Sequence, residues 1–133
     1  MAKKVKSSNK SKLSALVVDD NSTCRLAHCA ILRRHEFETY TAENGREVVE
    51  LIRSGQKFDV IFIDTIMTPE MNGVQATRAL RLMGVNSMIV GMDCDLDHIN
   101  EDFIRAGMDR VYKKRYPMRY PKKVPLRVEI QFI

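Results

Sequence analysis

The sequence predicts an α/β domain: a doubly wound, five-stranded parallel sheet with helices on both faces. Three observations predict it. Apolar runs that stop abruptly at acids recur, as in LSALVVDD (13–20) and VIFID (60–64). Runs of this length with β-branched residues suit strands buried on both faces. Segments of helical spacing separate these runs, and glycines (Gly55, Gly84, Gly107) close several of them. Strand–helix alternation requires a parallel sheet, and right-handed crossovers leave few ways to build it.

The elements follow in order. Leu13–Val18 forms the first strand, and Asn21–Phe37 (NSTCRLAHCAILRRHEF) the first helix, with Ser22 or Thr23 as its cap and Leu26, Ala30 and Ile31 at helical spacing. Glu38–Ala42 (ETYTA) is strand-like. Asn44-Gly45 opens a second helix over Glu47–Arg53, where Val48, Val49, Leu51 and Ile52 share a face. Val60–Asp64 is the third strand, followed by the loop TIMTPEMNG. A helix over Val74–Met83, a strand over Ser87–Met92, a helix over Asp97–Ala106 and a short strand over Arg110–Lys113 complete the count. The order expected is the flavodoxin-like 2-1-3-4-5.

After the fifth strand the pattern breaks. A fifth helix is due, but the tail reads RYPMRYPKKVPLRVEIQFI, with Pro117, Pro121 and Pro125 at four-residue spacing. Proline removes donors and breaks helices. Residues 126–133 instead alternate apolar and polar, a strand pattern. The final helix is therefore expected to be missing or altered. The organisation expected is a basic, disordered lead-in (1–12), a domain over 13–115 and an atypical Pro-containing tail (116–133).

Composition narrows the function classes. The 133 residues are 44% hydrophobic, enough for one domain with a real core. No apolar run reaches the roughly 18 residues of a membrane span, and the polar start argues against a secretory signal. Three scattered cysteines (Cys24, Cys29, Cys94) fit a reducing compartment, cytoplasmic or nuclear, and no disulfide framework. The net charge of +5 is unevenly spread. Residues 1–12 carry five lysines and 113–133 carry seven basic groups against Glu129, whereas 13–112 carry ten basic against sixteen acidic groups. An acidic folded body disfavours direct DNA binding. The lysine-rich start is a solvated end or a nuclear-import signal.

Asp19 and Asp20 end the first strand and Asp64 ends the third. In the 2-1-3-4-5 order these strands are neighbours, so three carboxylates converge at the carboxyl edge of the sheet, where sites in such folds form. Like charges that close must bind a cation or share a proton. A small hard ion such as Mg²⁺ (or Mn²⁺) suits them, because it takes few carboxylates and keeps positions for phosphate oxygens. Lys114, after the fifth strand, adds a cation for a phosphoryl oxygen.

LVVDDNSTCR, FDVIFID followed by P-E-M-N-G, and the lysine after the fifth strand together resemble a response-regulator receiver domain of two-component phosphorelays. The resemblance covers about residues 13–114. GVNSMIVG and the short basic lead-in resemble stand-alone plant regulators, the type-C group in particular. The resemblance implies that Asp64 accepts phosphate from a phosphohistidine, that Asp19, Asp20, Asp64 and the carbonyl of Ile66 hold the metal, and that Lys114 contacts phosphate. It implies a histidine phosphotransfer protein or histidine kinase as partner and a relay of the cytokinin type. A chain of this length is expected to carry no output domain.

Four departures stand out. Pro69 and Gly73 lie five and nine residues after Asp64, one more than the family pattern. Asp93 occupies the hydroxyl slot at the end of the fourth strand, where a carboxylate repels a phosphoryl group. Val111 fills the aromatic switch slot beside Tyr112, and Arg115 replaces a proline. The acceptor apparatus is present and the switch apparatus altered. Three functions fit: an acceptor acting as sink or competitor, a pseudo-receiver that docks the same partners without productive phosphorylation, and a phosphohistidine phosphatase. None is a conventional enzyme. The tail leaves a monomer or a weak dimer open.

Overall fold

The computed structural model describes residues 12–67, 71–93 and 101–113. Five strands, β1 (Ser14–Val18), β2 (Glu38–Ala42), β3 (Val60–Asp64), β4 (Met88–Asp93) and β5 (Arg110–Lys113), form one parallel sheet in the order β2-β1-β3-β4-β5. The helices between them are α1 (Ser22–Arg34), α2 (Gly45–Arg53), α3 (Gly73–Leu82) and α4 (Glu101–Ala106). The predicted architecture is thus the observed one. The start of the predicted fourth helix (97–100), Lys114, Arg115, Pro69, Cys94, residues 1–11 of the lead-in and the tail lie outside the described residues.

Burial on both faces follows from alternation within wholly apolar strands. Ala15, Val17, Val60, Phe62, Met88, Val90 and Met92 turn to one side, where Cys29 and Leu32 of α1 meet them. Leu16, Val18, Ile61, Ile63 and Ile89 turn to the other, against Val48 and Val49 of α2 and Ala76 and Leu80 of α3. Period-two side-chain geometry separates one apolar run into two cores. Eight of these strand residues are fully buried Val, Leu or Ile, each contributing about 1.5–3 kcal/mol.

Helix starts depend on asparagines that periodicity does not reveal. Asn21, not Ser22 or Thr23, caps α1, its side chain accepting from the Cys24 N–H at 2.9 Å. Asn44 caps α2 by accepting from Glu47. Asn72 and Gln75 form a reciprocal capping box at α3. α1 ends at Arg34, earlier than expected, and Glu36 takes a left-handed φ of 66° to turn the chain towards β2.

The amino-terminal edge of the sheet is fastened by polar groups. Ser14 donates to Asp59 through its N–H (2.7 Å) and its hydroxyl (3.1 Å), which pins β1 against the start of β3. Arg81 is the second fastener. Its guanidinium donates to the carbonyls of Gly107 (3.0 Å), Val85 and Ser87 (2.8 Å each) and to Asp109 Oδ2 (2.9 Å). Asp109 Oδ2 also accepts the Ile89 N–H, so one side chain ties α3 to β4 and to the turn before β5. Arg81→Met keeps the aliphatic stem but strands those carbonyls. It is expected to lower the unfolding free energy by about 2 kcal/mol, with Asp109 too exposed to add much. Urea denaturation with an unchanged slope checks this.

Candidate phosphoacceptor and cation site

β1 and β3 are adjacent with Val18 opposite Ile63, so the residues that follow meet at the carboxyl edge. Asp19, Asp20 and Asp64 each offer an oxygen there, and these atoms lie within 4.8 Å of one another. Asp19 is 3% exposed and Asp64 8%, whereas Asp20 faces solvent. Three like charges at that spacing repel unless a cation joins them. Oxygen-only donors, one of them open to water, fit a hard divalent ion that keeps part of its hydration. Sequence had placed these three acids together, and they are together.

Their orientations are set locally. Asp19 Oδ1 accepts from the Asn21 N–H at 2.9 Å, and the Asp19 carbonyl accepts from Arg25 Nη1 at 2.6 Å. Asp64 Oδ1 accepts from the Ile66 N–H at 3.1 Å, which ties the start of the following loop to the central acid. Gly73 is required where α3 starts: a Cβ there would run into the Asp64 carbonyl oxygen and come within 2.9 Å of Thr65 Cα. The Gly73 N–H donates to the Thr65 carbonyl. Despite the longer spacing from Asp64, the start of α3 thus abuts the end of β3.

Asp93 ends β4, one residue past the predicted boundary, and is 2% exposed. It lies outside the three-acid cluster. Thr65 Oγ1 donates to its Oδ2 at 2.7 Å. Sequence reasoning missed this partner, although a hydroxyl directly after the central acid is a legible cue. Val111 sits on β5 opposite Gly91, partly buried against the α2–α3 core, and Tyr112 packs on the α1 side.

Cys24 and His28 are buried core residues of α1, and the His28 ring meets Phe62 edge-on at 5.0 Å. Burial pushes the Cys29 thiol above its ordinary value, against the opposing pull of Arg33. An open cleft of about 540 Å³, lined in part by Ser14, Phe58, Asp59, Val85 and Ser87, lies at the amino-terminal edge, away from the Asp19–Asp20–Asp64 cluster.

A doubly wound 2-1-3-4-5 sheet with an acid triad at its carboxyl edge points to the receiver class of signalling domains. The response regulator receiver domain model matches residues 15–120, and the chain belongs to that family. It is 38% identical over 105 residues to Two-component response regulator 24 of Arabidopsis thaliana, covering 78% of this chain and 75% of that protein. Identity to Two-component response regulator ORR42 of Oryza sativa subsp. japonica is 39% over 100 residues, 74% of each. Among solved structures, a mutant receiver domain of the histidine kinase CKI1 from Arabidopsis thaliana aligns at a TM-score of 0.67 with 29% identity, covering 76% of this chain and 80% of that one. A CheY-like receiver domain from Methylobacillus flagellatus aligns at 0.78 over 90% of this chain and 99% of that one, and at 19% identity it shows the fold. No helix among the described residues is long and apolar enough to cross a membrane.

Proposed function

We propose that this chain accepts a phosphoryl group from a phosphohistidine onto Asp64 and acts as a sink or competitor in a phosphorelay. The observation that carries the reading is the convergence of Asp19, Asp20 and Asp64 within 4.8 Å, with Asp64 central at the end of β3. An Asp64 carboxylate oxygen attacks phosphorus while the P–N bond to the donor imidazole breaks, and the imidazole leaves with the bonding pair and takes up a proton. Asp19, Asp20, Asp64 and the Ile66 carbonyl would hold Mg²⁺ or Mn²⁺, which when bound neutralises charge on the transferred oxygens. Lys114, one residue past β5, supplies a second positive charge in the family pattern.

The partner class is a histidine phosphotransfer protein or histidine kinase. Leu26 and Ile66 support it: both are large apolar side chains, 68% and 63% exposed, on elements that flank the acids. Exposed apolar groups around a polar centre suit docking to another protein. A solved co-crystal pairs the Saccharomyces cerevisiae phosphotransfer protein Ypd1 with the receiver domain of Ssk1, which has this fold. The reading extends to a cytokinin-type relay, with which the similarity to plant regulators and to rice histidine kinases is consistent. The cysteine usage and lysine-rich start support a cytoplasmic or nuclear setting.

One observation favours a second reading. The buried Asp93 carboxylate stands where the family pattern has a hydroxyl, which suits a pseudo-receiver that docks donors but accepts phosphate slowly or not at all. A hydroxylamine test on label transferred from a phosphohistidine protein decides between them. An acyl phosphate on Asp64, released by hydroxylamine, supports the acceptor. Stable complex formation without label supports the pseudo-receiver. Donor label lost to inorganic phosphate, dependent on Asp64, marks the phosphatase activity.

A further inference from the structure

Thr65 has no role in the acceptor reading above, yet its hydroxyl donates to a buried carboxylate beside that site. We infer that Thr65 is a positioning residue whose hydroxyl holds the Asp93 carboxylate away from the Asp19–Asp20–Asp64 cluster. This rests on the cluster being a cation site.

Three observations carry it. First, β3 pairs with β4 so that Asp64 lies opposite Met92, which puts Asp93 one residue further along the same carboxyl edge. At 2% exposure Asp93 has no route to solvent, and a buried carboxylate must be held by donors or a cation. Second, Thr65 gives it a donor of fixed direction. The Thr65 N–H bonds the Met92 carbonyl at 3.0 Å, its own carbonyl accepts from Gly73, and Cγ2 lies 3.4 Å from where a Cβ on Gly91 would stand. A β-branched side chain pinned on both backbone sides has little χ1 freedom. Its hydroxyl has one proton and two acceptors near it, Asp93 Oδ2 at 2.7 Å and the Met92 carbonyl at 3.3 Å, and the shorter, charge-assisted bond takes it. Third, Asp93 lies outside the group whose oxygens approach within 4.8 Å.

With the Thr65 hydroxyl removed, Asp93 loses its donor on the Thr65 side, and its carboxylate is expected to turn toward the three acids as a fourth at the edge. Hard-cation sites tighten as carboxylates are added. The same added charge opposes an incoming phosphoryl group. The two effects run in opposite directions, and loss of a merely structural bond would produce neither.

The test titrates Mg²⁺ into the full chain by calorimetry and measures the phosphotransfer rate in parallel. Thr65→Val is expected to bind Mg²⁺ about tenfold more tightly and to accept phosphate about tenfold more slowly. Thr65→Ser, which restores the hydroxyl, should behave as wild type. Adding Asp93→Ala to Thr65→Val should remove the gain in affinity. Unchanged affinity in a folded Thr65→Val protein overturns the inference, as does tightening that survives without Asp93. Should Thr65→Val not fold, Asp93→Ala alone decides: affinity within about twofold of wild type supports a carboxylate already held away, and a tenfold loss overturns it. A wild-type chain that binds no Mg²⁺ sinks the cation reading itself, and the inference with it, a result distinct from normal binding that Thr65→Val leaves unmoved.

Discussion

Asp64→Asn is expected to reduce phosphate acceptance by at least about 10³-fold, because an amide lacks the nucleophilic oxygen that must displace the histidine. The substitution is conservative for the fold. An asparagine retains an oxygen at the Oδ1 position, so the 3.1 Å bond from the Ile66 N–H survives. It also removes one of three clustered negative charges. In chelator the variant should therefore be more stable than wild type, by about 1 kcal/mol, because less like-charge repulsion is confined in the folded state. Saturating Mg²⁺ should reverse the order, since binding to the folded protein alone adds stability in proportion to affinity. Urea unfolding in EDTA and in Mg²⁺ reads both signs. A variant no more stable than wild type in EDTA would mean that the three acids do not repel.

Asp93→Thr should have the second largest effect, in the opposite direction. It removes a buried negative charge from the carboxyl edge and supplies a hydroxyl that can donate to a transferred oxygen. One well-placed donor at developing negative charge is worth about 10²–10³-fold at most, and a rise of about tenfold to a hundredfold in transfer rate is expected here. The fold should tolerate it. Thr65 Oγ1, deprived of Asp93, already lies 3.3 Å from the Met92 carbonyl and can donate there. Stopped-time labelling of the variant beside wild type measures the change. An unchanged rate would show that Asp93 does not limit the chemistry, which removes the main support for a pseudo-receiver.

The legible part of this protein was whatever depends on short-range pattern. Continuous apolar strands that end in acids gave the doubly wound sheet, and parallel topology alone brought Asp19, Asp20 and Asp64 together. Contacts between distant residues were not legible. Arg81 reads as an ordinary helical cation, yet it gathers carbonyls from three later positions that become neighbours only when α3, β4 and β5 assemble. Thr65 and Asp93 are 28 residues apart, and one of them was read as an isolated anomaly because the other had no visible motif. Helix caps fell between these cases. Asn21, Asn44 and Asn72 each precede an apolar periodic segment, but a neighbouring serine or threonine at 22 or 23 offers the same chemistry, and only backbone geometry chooses.

The most direct test of the central claim is a time course of phosphotransfer from a labelled histidine phosphotransfer protein to the full chain, in Mg²⁺ and in EDTA, with Asp64→Asn alongside. The account predicts label that appears on the wild type in Mg²⁺ only, and on Asp64→Asn in neither condition. Label on Asp64→Asn, or equal labelling in EDTA, would contradict it.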